Sequence, residues 1–106
     1  MAKTIRLNLL FPFLIDELSD GLTKIGERDL AKSINNLEIV GRCDCDNQGC
    51  GAFYTLEKHK WSAKDLRQLV PVVKGLFAMD VLDEQIVCIE FIGRMDVRDR
   101  LVAVFP

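Results

Sequence analysis

Apolar positions along the chain recur either at every second residue or at every third to fourth, and the switches between these periods mark the expected elements. Thr4 to Leu10 alternates, with Ile5, Leu7 and Leu9 on one side and Thr4, Arg6 and Asn8 on the other. That pattern predicts a half-buried strand, which Pro12 stops. From Pro12 the period lengthens: Leu14, Leu18, Leu22 and Ile25 recur at helical spacing, with Asp16, Glu17, Asp20 and Lys24 largely opposite. A helix weakened at Gly21 and ended at Gly26 follows. Glu27 to Ile34 reads as a second short helix burying Leu30, Ala31 and Ile34, although one broken helix fits the same letters. Asn35-Asn36 then turns the chain.

Leu37 to Leu56 carries the strongest hairpin pattern, with strand formers on both sides of the turn residues Asp46-Asn47-Gln48-Gly49. A four-residue loop sets Cys45 opposite Cys50 and Cys43 opposite Ala52. The inner, apolar face then reads Leu37, Ile39, Gly41, Cys43 and Cys45 against Cys50, Ala52, Tyr54 and Leu56. Glu38, Arg42, Asp44, Thr55 and Glu57 turn away. A three-residue loop with a bulge at Gly49 would instead flip the partner strand and take Cys50 out of the group. The first register separates apolar from polar residues better and is the one expected.

Further on, Ser62 and Asp65 form a capping-box pattern opening a short helix through Leu66, Leu69 and Val70, which must end before Pro71. Trp61 beside it reads as a core anchor. A second hairpin joins Leu76–Leu82 to Ile86–Ile92 around Asp83-Glu84-Gln85, with Phe77, Met79 and Val81 on the face of Val87, Ile89 and Phe91. Such a face requires a helix over it. The last segment supplies one, with Asp96 as N-cap and an apolar stripe of Val97, Leu101, Val104 and Phe105.

These elements predict an α+β fold in a single domain spanning residues 1–106. Its mostly antiparallel sheet has four to five strands, built from two hairpins and the N-terminal strand. Two or three helices, including the C-terminal one, pack against it. At 106 residues the chain is long enough to bury a core without disulfides or metal as obligatory supports. Hydrophobic content of 49% with 28% charged residues excludes disorder and leaves room for a homodimer surface. Fourteen basic against sixteen acidic residues, with no basic run, argue against a nucleic-acid partner. Lys3 and Arg6 ahead of Leu9 to Ile15 superficially suggest a signal peptide, yet Pro12 interrupts the stretch and Asp16 and Glu17 follow it. The expectation is a cytoplasmic protein without a membrane partner, in which cysteines are thiols or metal ligands.

Chemistry concentrates in the first hairpin. Thiolates are preferred ligands of zinc, and Cys43, Cys45 and Cys50 lie within eight residues. A closed structural site needs a fourth ligand, for which His59, Asp46 and Cys88 are the candidates. The bland counterpart is that these cysteines are small apolar residues packed in a core. Redox work would use Cys45 with Cys50, whose Cα atoms would stand about 4.5–5.5 Å apart across the turn, a bridgeable separation. Asp44 and Asp46 beside Cys45 disfavour a reactive thiolate, with Arg42 alone opposing them in sequence. His59, the single histidine, sits between two lysines and reads as solvated. Glu17, Asp20, Glu27 and Asp29 read as ordinary helix-surface charges. No nucleotide-binding glycine loop or nucleophile elbow occurs. The function expected is therefore a non-enzymatic domain that binds a protein or small ligand. Its cysteine hairpin either packs in the core or holds one structural zinc through Cys43, Cys45, Cys50 and His59. The alternative is a thiol redox enzyme or switch using Cys45 and Cys50.

Overall fold

Five antiparallel strands form the main sheet, and helices drawn from the start and the end of the chain cover one of its faces. The computed structural model describes residues 4–43, 50–61, 66–69 and 77–105. In chain order it contains β1 (Ile5–Arg6), α1 (Leu7–Leu10), α2 (Leu14–Lys24), α3 (Arg28–Ser33), β2 (Glu38–Ile39), β3 (Gly41–Arg42), β4 (Cys50–Tyr54), β5 (Arg67–Leu69), β6 (Phe77–Leu82), β7 (Gln85–Ile92) and α4 (Met95–Val104). Short 3-10 turns occupy Ile34–Asn36 and Lys58–Lys60. The main sheet runs β3-β4-β7-β6-β5, while β1 and β2 pair separately. The expected α+β architecture with a C-terminal helix is thus present.

The N-terminal strand is shorter than its alternation suggests. Only Ile5 and Arg6 are extended, and they pair with Ile39 and Glu38 outside the main sheet. Leu7 starts a helical turn because it belongs to a second series, Leu7, Phe11, Leu14, Leu18 and Leu22, all fully buried. Pro12, which has no N–H to donate, separates α1 from α2. The α2 helix ends as expected at Gly26, whose φ of +84° lets Gly26 N–H and Glu27 N–H return to the Thr23 and Leu22 carbonyls. The two-helix reading of residues 12–34 therefore holds, with α3 burying Leu30 and the turn after it Ile34.

Two further expectations are corrected. Arg67–Leu69 is an edge strand rather than part of a helix, because its backbone pairs with Met79 to Val81 of β6. The capping-box residues Ser62 to Asp65 lie outside the described residues. The β6–β7 turn contains two residues, Asp83 and Glu84, at φ of 51° and 61°, instead of three. A bulge between Asp80 and Val81 compensates for the shorter loop, so that Met79 still pairs with Ile89 and Asp80 with Cys88. The expected apolar face survives this change. Phe53 of β4 stacks between Phe11 and Phe91 at centroid distances of 5.7 and 6.5 Å, and Met79, Ile89, Val97 and Leu101 complete the core around them. Asp96 does not cap α4. It lies inside the first turn and takes a two-pronged contact from Arg94 at 3.0 and 3.1 Å.

Candidate functional site

The cysteine hairpin begins with an irregularity at Val40. Its N–H donates to Tyr54 O at 2.8 Å, although Gly41 is the residue in register with Tyr54. Two residues thus oppose one, which makes a bulge. The extra residue leaves Ile39 facing the helices and sends Gly41 to the opposite side. Beyond it Arg42 pairs with Phe53, and Cys43 N–H donates to Ala52 O at 2.9 Å. This is the register expected for the four-residue loop. Asp44 to Gly49, with Cys45 and Asp46, lie outside the described residues.

The face assignment, by contrast, is reversed. Along β4 the buried ring of Phe53 points into the core, and Gly51, on the same side, lies against Val97 of α4. Alternation then places Cys50, Ala52 and Tyr54 on the side away from the helices, joined there by Cys43 and, from β7, by Cys88 and Glu90. Cys43 and Cys50 do not line the core. The Phe53 ring stacks between Phe11 and Phe91 on the helix side, which fixes the phase of the strand. Cys43 and Cys50 remain half-buried, and Cys88 is 7% exposed between Tyr54 and Asp80, the residues it pairs with.

Cys43 and Cys50 are diagonal neighbours on one face, a relation that sets Cα atoms about 7–8 Å apart. That separation exceeds what an unstrained disulfide accepts. Two sulfurs bound to one zinc must lie within about 4.6 Å, twice the Zn–S bond length. Two arginines hold the backbone beside the thiols. Nη1 of Arg98 donates to Cys50 O at 3.0 Å, and Nη1 of Arg42 donates to Cys43 O at 2.9 Å. Sequence reasoning missed Arg98 because it lies 48 positions downstream.

His59 does not join this end of the hairpin. It is exposed in the 3-10 turn Lys58–Lys60, which follows the far end of β4, and Cys50 to Tyr54 alone spans about 13 Å. Glu57 bonds Lys60 across that turn at 3.3 Å. Trp61, half-buried rather than in the core, donates Nε1–H to Leu56 O at 2.9 Å and meets Tyr54 edge-to-face at 6.0 Å. Among the described residues no group of three or more His, Cys, Asp or Glu side chains is arranged to hold a metal ion.

An open cleft of about 370 Å³, unforeseen from sequence, lies between Asn36, Leu37, Thr55, Leu56 and Gln85. The hydroxyl groups beside it are engaged, Ser33 with Leu30 O at 2.7 Å and Thr55 with Ile86 O. Two of the acidic residues read as helix-surface charges are in ion pairs. Glu27 takes both arms of Arg67 at 2.8 and 3.2 Å, and this guanidinium holds its carboxyl below the usual carboxylate range. Glu17 pairs with Arg94 at 3.3 Å. Among the described residues no helix is long and apolar enough to cross a membrane. A scan against protein-family models and searches of curated proteins and of solved structures return no match.

Proposed function

We propose that the protein is a non-enzymatic binding domain of a reducing compartment, the cytoplasm, whose cysteine hairpin holds a soft metal ion, zinc, on the outer face of the sheet. One observation carries the reading: Cys43 and Cys50 share a half-exposed face at diagonal positions, outside the core that inert cysteines would pack. Cys45 enters from its place in sequence, as the third thiolate. The metal would cross-link the short edge strand β3 to β4, and the surface it shapes would receive a protein or small ligand.

Metal content of the purified chain, with thiol titration under native conditions, tests this. About one zinc per chain, lost in Cys43→Ser and in Cys50→Ser, supports the site. No metal, with thiols that label only in denaturant, rejects it. The competing redox reading, a switch between Cys45 and Cys50, draws support from the Arg98 guanidinium at Cys50 O. It predicts a fast-reacting thiol and a reducible bond in metal-free protein.

A further inference from the structure

We infer that the cleft between the turn at residues 33–37 and the start of β7 is a docking site for an extended, uncharged peptide segment of a partner protein, held through its backbone amides. The inference goes beyond the metal site and does not rest on it. The cleft begins past the Val40 bulge, where the two chains that meet at Tyr54 diverge. On one side Leu37 O accepts from Leu7 N–H at 2.9 Å, so the chain leading into β2 is bonded toward β1. On the other, Thr55 N–H donates to Val87 O at 2.9 Å, so the continuation of β4 stays with β7. Each wall is bonded outward, and the cleft of about 370 Å³ opens between them.

The walls are held before any ligand arrives. Ser33 Oγ donates to Leu30 O at 2.7 Å, Thr55 Oγ1 donates to Ile86 O, and Leu37 N–H donates to Ile34 O at 3.3 Å. A site fixed in this way loses little binding energy to ordering itself. Two carboxamides stay unengaged. Asn36 lines one wall and Gln85 the other, both exposed, and among the described residues neither side chain has a hydrogen-bond partner. A carboxamide donates and accepts, which matches the peptide group, itself one donor and one acceptor. Leu37 and Leu56, half-buried, and Ile86, buried, supply apolar lining for a side chain. Among the described lining residues Glu84 alone carries a charge, and its carboxylate is bonded to Arg67 at 3.0 Å. The complement of such a lining is uncharged. Because the cleft is open, a chain can pass along it, and its volume lies at the small end of ligand sites, so only a short segment is held.

Nuclear magnetic resonance of the full chain tests this, with N-acetyl-leucine N′-methylamide as the probe: two peptide groups around one apolar side chain. The probe should saturably shift the backbone amides of Leu37, Thr55, Leu56 and Ile86, at about the millimolar level open to so small a ligand. Gln85→Met and Asn36→Leu, which keep side-chain size and remove the amide, should each weaken binding by about fivefold or more, and either serves if the other does not fold. Glu84→Gln should bind as wild type does, and N-acetyl-alanyl-leucyl-alanine N′-methylamide should bind more tightly than the probe. Shifts confined to other residues, undiminished binding in the carboxamide variants, or equal binding of 3-methylbutan-1-ol, which has no amide, overturns the proposal. Loss of binding in Glu84→Gln assigns recognition to charge and overturns the uncharged partner. A longer peptide that binds no tighter assigns the cleft to a small amide and overturns the peptide. Zinc content is read separately: a zinc-free chain that binds the probe loses the metal site alone, and a zinc-loaded chain that ignores the probe loses the cleft alone.

Discussion

Gly51 and Val97 touch at the point where α4 crosses β4: a methyl group on Gly51 would lie 3.2 Å from Cγ1 and 3.4 Å from Cβ of Val97. The closeness of helix and strand is set by a missing side chain. A larger residue at 51 must push the helix outward, so Gly51→Val should destabilise the fold by about 1–3 kcal/mol. Combining it with Val97→Ala should recover part of that loss, and a double-mutant cycle by urea unfolding would read the coupling. Simple additivity of the two changes would mean that the contact does not set the helix position.

The reversal of faces along β4 makes a separate prediction. Phe53 is fully buried between two aromatic rings, and Phe53→Ala should cost about 3–5 kcal/mol. Cys50→Ala, three positions away on the other face, should cost far less in metal-free protein. Equal losses in chemical denaturation would restore the cysteines to the core.

Acid should remove one specific contribution. Arg67 lowers the carboxyl pKa of Glu27 in the folded protein, so the pair stabilises the fold in full above the unfolded Glu value of about 4.3. That contribution fades as pH falls through the lowered folded value. Both side chains are substantially exposed, 37% for Arg67 and 25% for Glu27, which keeps the pair below about 1 kcal/mol. Glu27→Gln should therefore be slightly less stable than wild type at pH 7, and the two melting temperatures should converge toward pH 3. A difference that stays constant with pH would assign the loss to something other than charge.

His59 should be dispensable for metal. Because it follows the end of β4 remote from Cys43 and Cys50, His59→Ala should retain the zinc content of wild type, while Cys43→Ser should not. Loss of zinc in His59→Ala, with the fold intact by circular dichroism, would place the histidine among the ligands.

What could be read from sequence followed how far each signal was local. The α2 helix with its Gly26 stop and the stripe of Val97 and Leu101 were legible because period and terminator lie within one element. That Cys43 and Cys50 share a face was legible only through a choice between two loop lengths, made on the segregation of apolar from polar residues. Which face that would be was not, since Cys50-Gly51-Ala52-Phe53-Tyr54 is apolar in both phases of the alternation. The choice fell to Phe53 through partners at positions 11 and 91. Leu7 belonged to a period-two and a helical series at once, and the longer helical series, with more surface to bury, prevailed. Arg67–Leu69 was too short to show any period, and its strand conformation comes from hydrogen bonds to β6. Arg98 at Cys50 O joins residues 48 apart, beyond any local pattern.

One backbone, that of β4, separates the aromatic stack from the thiols. Successive codons of this strand therefore answer to different demands, core packing at Gly51 and Phe53 and the opposite face of the sheet at Cys50, Ala52 and Tyr54. A descendant chain could remodel the outer surface by rewriting alternate letters, and the partition only one chain thick would leave the aromatic stack untouched.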